Sequence, residues 1–492
     1  MGLIMRNKKD FWQYVTIASS LAILNVVFCT NSTIGLLITI IEVLVLLLFA
    51  VQRNITSYMC FYIMSICNCM EFSQFVGTEN FYNMKSIRIA GVNIGAWMLL
   101  VLIIISSIRP IKIGMLKGKQ PALYSFGRGL IIINVTAALV GLLIISINDN
   151  NIQNITGYFR EYLGGIYSQL FIPLAFLLGF FYVLTYEDGI DKLYLAVQAT
   201  LIASSVQLIF SSLFGYAGTY GGVTTLMAST VYFVLPLVLV VLKDRTILYP
   251  KFTGIIIITG ILLSLRYNTN GKLLISLGIV IFIIIFRLVK DKSLSTKITA
   301  LLLTALAIVL IPAGINYLLD NSILFKTKYT QALNIISFGS GWLDNLAISP
   351  RARIEEIADV LIEYAHKPWL AITGKGYLGS IKDHTGFFSR INVNRGFFSN
   401  AEWEQGVYFN LHEISSSLII FGIFGIAYSV KLIRYTMHQA KNNAWILIGM
   451  YWFILLYGYS FTLSVLGVAV LFLGFVDNNN QRHFLIEYKR HL

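Results

Sequence analysis

Residues 33–51 read TIGLLITIIEVLVLLLFAV, a run of nineteen residues in which Glu42 is the one ionisable side chain. An α-helix needs about 20 predominantly apolar residues to cross the hydrocarbon core of a bilayer. The run therefore predicts a membrane-spanning helix. An ionisable side chain is expensive to bury in such a span, so Glu42 is a functional candidate, as is Glu71 in the following apolar run.

Runs of the same kind recur along most of the chain. The predicted spans are, approximately, 13–30, 33–51, 56–77, 90–108, 130–147, 165–185, 193–214, 223–242, 252–265, 272–289, 298–319 and 413–433. The apolar stretch 444–476 follows; a break near Gly458 lets it cross twice, and one long tilted helix is the alternative. The sequence therefore predicts an all-α fold, a polytopic transmembrane helix bundle of about 12–14 spans.

The composition agrees with a membrane protein. Of the 492 residues, 57% are hydrophobic and 12% are charged, and the mean hydropathy is +0.74. Because soluble globular chains carry about 25% charged residues, this composition excludes an ordinary soluble enzyme. The formal net charge of +14 does not indicate nucleic-acid binding, since the basic residues lie in short clusters between apolar runs, where they determine topology.

The distribution of Lys and Arg predicts the orientation. With the N-terminus in the cytoplasm, the inside segments hold twenty of these residues and the short outside segments hold five. Basic residues resist translocation and accumulate in cytoplasmic loops. We therefore predict a multi-pass protein with a cytoplasmic N-terminus and a cytoplasmic tail at 477–492.

One long polar stretch, residues 320–412, separates the spans at 1–319 from those at 413–476. It contains nine Lys/Arg and nine Asp/Glu residues, and long loops between elements are usually functional. We predict that it is a large extracytoplasmic loop.

Within this loop, SPRARIEEIADVLIEYAHKP (349–368) predicts an amphipathic helix. Ser349 suits the N-cap, Pro350 suits the first helical position, and Pro368 ends the run. Apolar residues recur at the spacing of one helical face, at Ile354, Ile357, Ala358, Leu361, Ile362 and Ala365. We expect this face to pack inward on the bundle and the acidic residues, Glu355 among them, to be exposed.

A glycine-rich segment follows, PWLAITGKGYLG (368–379). Glycines such as Gly374 and Gly376 let backbone amides approach an anion closely. The pattern is weak by itself, because glycine-rich turns are common in loops.

Four features stand in a fixed order from residue 266 to residue 431. They are Arg266 or Lys272 in SLRYNTNGKLL, Arg351 and Arg353 at the start of the loop helix, Pro368 with Gly374 and Gly376, and His412 before the glycine-containing helix LHEISSSLIIFGIFG. This order resembles the O-antigen ligase/polymerase superfamily of bacterial polysaccharide assembly. Glu413 departs from that family's usual Asn, and Ser-Arg-Gly is lacking around Arg266.

The resemblance implies a metal-independent, cofactor-free glycosyltransferase of the bacterial cytoplasmic (inner) membrane. Its donor would be a glycan on undecaprenyl diphosphate, and a flippase and a chain-length regulator would be partners in the pathway. Arg266, Arg351 or Arg353 would bind the diphosphate, because arginine binds phosphate bidentately. His412 would act as the general base. Lys272, Gly374, Gly376 and Glu413 would contact the substrate.

The resemblance leaves alternatives open. A polymerase joins repeat units, whereas a related ligase transfers a finished glycan to another acceptor. A lipid-linked oligosaccharide flippase is a third reading, although a flippase has no need for a long outer loop. His366 and His384 have the character of ordinary loop residues, and Glu413 and Glu404 are further candidate bases.

Overall fold

The computed structural model describes most of the chain up to residue 439. The described residues are 2–28, 30–69, 81–89, 92–108, 121–147, 166, 170–184, 189–214, 217–220, 223–226, 249–267, 298, 305, 312–337, 339, 341–390, 407–408, 411 and 413–439. The chain divides into two compact units. The first comprises Met1–Lys112, Leu178–Thr330 and Leu463–Asn479, and the second comprises Ile113–Leu177, Gln331–Thr462 and Asn480–Leu492.

The described part of the chain is mostly helical. Its helices up to residue 267 are α1 (Gly2–Phe28), α2 (Ser32–Val51), α3 (Ile55–Asn68), α4 (Ile94–Ile108), α5 (Pro121–Ile147), α6 (Ile172–Val183), α7 (Gly189–Phe214) and α8 (Pro250–Tyr267). Residues 312–321 are also helical. The later helices are α9 (Ile323–Ile336), α10 (Ile348–His366), α11 (Pro368–Thr373), α12 (Phe387–Arg390) and α13 (Glu413–Gln439), with a 3₁₀ turn at Gly376–Leu378.

The described part of the chain also contains three short antiparallel strand pairs. They pair β1 (Arg88–Ile89) with β2 (Val92–Asn93), β3 (Ala217–Tyr220) with β4 (Val223–Leu226), and β5 (Ile381–Lys382) with β6 (Val407–Tyr408). Strand β4 corrects the prediction that a helical span begins at residue 223. Its Val-Thr-Thr sequence is β-branched and therefore favours a strand.

Three helical segments of the described chain are long and apolar enough to cross a membrane: Lys9–Phe28, Ser32–Val51 and Gly189–Phe214. Shorter apolar segments lie at Ile94–Ser107, Gly127–Leu143, Pro173–Val183 and Ser415–Ala427. Seven of the predicted spans thus coincide with apolar helical segments. The spans predicted at 272–289 and 444–476 lie outside the described residues, so the total of about 12–14 stays a prediction.

Helix α7 forms the centre of the first unit, packing against α1, α3 and α8. Its small residues, such as Ala203 and Ser204, let neighbouring backbones approach closely, which is the usual basis of helix packing in membranes. Two of the polar side chains on this helix form hydrogen bonds with neighbouring helices. Ser204 donates to Asn68 Oδ1, and the Gln207 amide donates to the carbonyls of Asn68 and Ala22.

In the second unit, the segment from α10 to β5 packs on α5 and α13. Helix α10 begins at Ile348 with Ala347 as its N-cap residue, and no side chain caps it. The prediction of Ser349 as the N-cap is therefore wrong. Ser349 and Pro350 both lie in the first turn, where proline is tolerated because those backbone amides have no partner within the helix. As predicted, the helix ends just before Pro368, which begins α11.

Candidate functional site

Helix α10 turns its acidic side toward the interior of the second unit. Glu356 and Asp359 have no exposed surface, and Glu355 is 7% exposed, whereas Leu361 is 56% exposed. The prediction of an inward apolar face with Glu355 outside is therefore wrong. A buried carboxylate is tolerated only when it has charge or hydrogen-bond partners. The segments around α10 supply such partners.

Arg351, in the first turn of α10, is held by three groups. Its terminal nitrogen lies 3.0 Å from Asp344 Oδ1, and its Nε lies 3.2 Å from Glu355 Oε1. The guanidinium carbon lies 4.9 Å from the centre of the Phe387 ring, a cation–π distance. Arg353 is half-buried on the same helix. These three contacts hold the side chain of Arg351, a predicted site residue, in a defined orientation.

Glu363, near the end of α10, is the centre of a charged cluster. Lys375 Nζ donates to Glu363 Oε1 at 2.7 Å, and His384 Nε2 lies 2.9 Å from Glu363 Oε2. The same ammonium donates to the carbonyl of Ser380 at 2.7 Å. Burial acts to raise the pKa of Glu363, but the hydrogen bonds from Lys375 and His384 outweigh it, and the pKa lies below its ordinary value.

Asp359 lies one helical turn before Glu363. Its Oδ1 accepts the backbone N–H of Thr385 at 2.8 Å, but its buried Oδ2 has no hydrogen-bond partner within the described part of the chain. Burial raises the pKa of this carboxyl to about 6, helped by the nearby charge of Asp383 and opposed by the Thr385 amide and His384. The pKa values of the two neighbouring carboxyls are therefore shifted in opposite directions, that of Glu363 downward and that of Asp359 upward.

The glycines of the 374–379 turn are required by close backbone packing. Gly374 and Gly376 have φ values of +66° and +68°, a region that side-chain-bearing residues rarely adopt. A Cβ on Gly374 would lie 2.4 Å from the carbonyl oxygen of Ile420 in α13, and one on Gly376 would lie 2.3 Å from that of Ala137 in α5. Both glycines thus bring the turn onto the backbones of two apolar helices.

The predicted role of this turn, exposing amides to an anion, has no support in this geometry. The backbone N–H groups of Gly374, Lys375 and Gly379 already donate to the carbonyls of Leu370, Ile419 and Gly376. Packing against α5 and α13 is a sufficient reason for Gly374 and Gly376.

Helix α13 is broken at Gly422, whose φ of 59° and ψ of −151° are not helical. Such a break removes the helical partners of the preceding carbonyls. The loop segment replaces them: the Tyr364 hydroxyl donates to the carbonyl of Leu418, and the Lys375 amide donates to that of Ile419 at 2.6 Å. The break thereby fastens α10 and the glycine turn to α13.

The turn also contacts α5 through Tyr377. Its hydroxyl donates to Asn134 Oδ1, and its ring packs edge-on against Phe421. Asn134 is buried within the apolar segment Gly127–Leu143. The charged cluster around Glu363 is therefore connected directly to two apolar helices.

The other predicted site residues are placed only in part. Arg266 is exposed in the last turn of α8, in the first unit, and its carbonyl accepts the Ser322 hydroxyl at 2.7 Å. Lys272 and His412 lie outside the described residues, and for Glu413 the structure describes only the backbone, at the start of α13. The predicted convergence of His412 with the arginines therefore stays a prediction.

Sequence reasoning missed the grouping of Asp359, Glu363, Lys375 and His384. A signal was present, because Glu355, Asp359 and Glu363 recur every four residues and so lie on one helical face. The sequence could not show that this face points inward. Among the described residues, no three His, Cys, Asp or Glu side chains group in a way that suits a metal ion.

The cluster combines a cation, Lys375, with groups that accept protons, Glu363 and His384. Such a combination suits the binding of an anionic group together with proton transfer. Arg351 lies about 18 Å earlier along α10. No family model matches the chain, and neither a curated protein nor a solved structure matches it.

Proposed function

We propose that the protein is a membrane glycosyltransferase that polymerises undecaprenyl-diphosphate-linked repeat units at the outer face of the bacterial cytoplasmic membrane. The observation that supports this proposal most directly is the charged cluster around Glu363, which is fastened to the apolar helices α5 and α13. A lipid diphosphate carries its charge at the boundary between hydrocarbon and water. An enzyme that acts on it needs charged groups beside apolar helices.

The reaction defines the groups that the site must contain. The anomeric C–O bond to the diphosphate breaks, the acceptor hydroxyl oxygen bonds to the anomeric carbon, and the hydroxyl proton passes to a base. The bond electrons leave with the diphosphate, whose growing negative charge cations stabilise. Lys375 of the charged cluster is suited to that role, and the family resemblance assigns it to Arg351 or Arg353.

The base has two candidate sources. The family resemblance assigns this role to His412. The geometry adds His384, which is paired with Glu363 at 2.9 Å. A carboxylate that is hydrogen-bonded to an imidazole fixes the orientation of the ring.

A ligase that transfers a finished glycan to another acceptor would use the same chemistry and is the second candidate. A flippase is a weaker candidate, because transport does not require a proton acceptor paired with cations in a loop. The three functions differ in the lipid-linked species that accumulates when the protein fails.

The test compares Lys375→Ala with Lys382→Ala in cells that lack the wild-type protein. Lys382 is an exposed lysine in the same loop and provides the matched control. With Lys375→Ala, we expect polymer to fall about 100-fold or more and single lipid-linked units to accumulate, accessible to reagents outside the cell. Lys382→Ala should make normal polymer.

Other outcomes would reject the polymerase. Finished polymer that remains on its lipid carrier would identify a ligase, and single units retained inside would identify a flippase. Normal polymer from a stably expressed Lys375→Ala protein would remove the charged cluster from the site.

A further inference from the structure

Glu42 is another buried ionisable residue. It belongs to the first unit and is distant in sequence from the charged cluster around Glu363. It lies ten residues after the start of α2 and nine before its end. At 1.5 Å per residue it is roughly 15 Å from each end of the helix, and the hydrocarbon core is about 30 Å thick. The carboxyl therefore lies near the middle of a predicted span.

Helix α2 presents this carboxyl to the interior of the unit. Glu42 is 1% exposed and shares its buried face with Gly35, Thr39 and Leu46. The opposite face is exposed and apolar, as Leu44 at 58% exposure illustrates. The carboxyl thus points into the bundle and away from the lipid-facing side.

The polar groups around Glu42 come from neighbouring helices. Ser65 of α3 and Asn25 of α1 face its carboxyl, but neither Oε atom has a hydrogen-bond partner among the residues that the structure describes. The buried Ser65 hydroxyl is likewise unpartnered in that part of the chain. Among the described residues, the Cys69 thiol interacts electrostatically with Glu42, and the charge of Lys85 acts on that thiol.

A buried carboxylate without a counter-charge costs many kcal/mol in an apolar environment. Binding of a cation by the carboxylate would remove this cost. In the described part of the chain no lysine or arginine acts on Glu42 directly. A small exchangeable cation, either a proton or Na⁺, meets this requirement, and oxygen ligands such as carboxylate and hydroxyl suit both.

We infer that Glu42, with Ser65 and Asn25, forms an intramembrane binding site for an exchangeable monovalent cation. This site is separate from the proposed glycosyl-transfer cluster and does not depend on it. Ionisable groups inside spans commonly belong to ion or proton pathways. The site therefore gives the protein a point at which an ion gradient could act on the bundle.

The test uses dicyclohexylcarbodiimide, which modifies protonated carboxyl groups in apolar surroundings, on the full-length protein in vesicles. We expect the peptide containing Glu42 to be labelled, and Glu42→Gln to abolish this labelling. If the cation is Na⁺, replacing choline by Na⁺ at constant pH will protect the carboxyl. If it is a proton, labelling will fall as the pH rises and will not respond to Na⁺.

Two further variants sharpen the test. With Na⁺ as the ligand, Ser65→Ala should raise the Na⁺ concentration for half-protection about tenfold, since it removes one oxygen ligand. Thr39→Val is the matched control: its hydroxyl donates to the carbonyl of Gly35 in its own helix at 2.9 Å, so labelling should be unchanged.

Infrared spectra of the wild-type protein minus Glu42→Gln provide an independent readout. They should contain a protonated-carboxyl band that changes with pH or with Na⁺. If neither the labelling nor this band responds to either condition, Glu42 holds no exchangeable cation and the inference is wrong.

Discussion

The carboxylate of Glu363 and the ammonium of Lys375 lie 2.7 Å apart, and both side chains are largely buried. The two residues belong to different elements, the end of α10 and the glycine turn. Their pairing therefore ties the turn to the helix. Because both charges are withdrawn from water, each depends on the other.

The first prediction concerns this pair. Glu363→Gln should destabilise the protein by roughly 1–3 kcal/mol, because it leaves a buried ammonium without its counter-charge. Adding Lys375→Met should recover much of this loss. Thermal unfolding of the four proteins in a double-mutant cycle measures the coupling, and additive effects would contradict it.

The second prediction concerns the glycine turn. Gly374→Ala should weaken the docking of the loop on α13, because the added Cβ meets the Ile420 carbonyl and the positive φ alone costs roughly 1–2 kcal/mol. Gly339→Ala is the matched control, since its Cβ would meet no atom within 4 Å. Limited proteolysis of the loop should distinguish the variants, and equal protection would argue against the packing.

Much of the helical framework could be predicted from the sequence, because about 20 apolar residues indicate a span whatever surrounds them. Helix α2, observed at Ser32–Val51, was predicted at 33–51. The end of the loop helix before Pro368 was equally predictable, since proline cannot continue a helix interior. The hairpin at 217–226 was missed because its second strand, residues 223–226, was counted toward the span predicted at 223–242, and no structure was predicted for residues 217–220.

The direction of α10 could not be predicted in the same way. In a soluble protein an apolar face points to the core, but in a membrane protein it can equally well face lipid. On α10 the apolar residues, such as Leu361, and the acidic residues, such as Asp359, recur at the same helical spacing. The spacing alone therefore does not show which face is buried. Only partners distant in sequence, Thr385 and Lys375, decide that the acidic face is inside.

The third prediction tests this direction with two adjacent residues. Val360 has no exposed surface, whereas Leu361 is 56% exposed. Val360→Ala should cost about 2 kcal/mol of stability through lost burial and a small cavity. Leu361→Gln should change the free energy of unfolding in detergent by less than about 0.5 kcal/mol. A larger loss of stability from Leu361→Gln than from Val360→Ala would show that the face with Leu361 is the buried one.

The fourth prediction concerns pH. The pKa of Asp359 rises from its ordinary value of 3.8 to about 6 in the folded protein. Between these values the folded state holds a proton that the unfolded state has lost, so the contribution of Asp359 to stability falls as the pH rises and stays low above about 6.

Asp359→Asn should remove this slope from a plot of unfolding free energy against pH. The contribution of Glu363 to stability changes with pH in the opposite direction, because the pKa of Glu363 is lowered. Its contribution is present above its ordinary pKa of 4.5 and is lost as the pH falls below it. An Asp359→Asn protein with an unchanged pH profile between 3.8 and about 6 would show that Asp359 does not titrate there.

The last prediction separates the two candidate bases of the proposed transferase. His412 is indicated by its place before α13, and His384 by its contact with Glu363 at 2.9 Å. Removing a general base lowers turnover by about 100- to 10,000-fold. One of the variants His412→Ala and His384→Ala should therefore lose polymer synthesis to that extent while remaining stably expressed. His366→Ala is the control, because the His366 ring lies near that of His384, with 5.8 Å between centroids, but at the exposed end of α10.

Glu363→Gln distinguishes the two candidate bases further. If His384 is the base, this variant should lower kcat, since the carboxylate no longer orients the imidazole ring. If His412 is the base, the same variant should leave kcat close to that of the wild-type protein. Full activity in both histidine variants would leave Glu413 or Glu404 as the base to test and would withdraw both histidines from the mechanism.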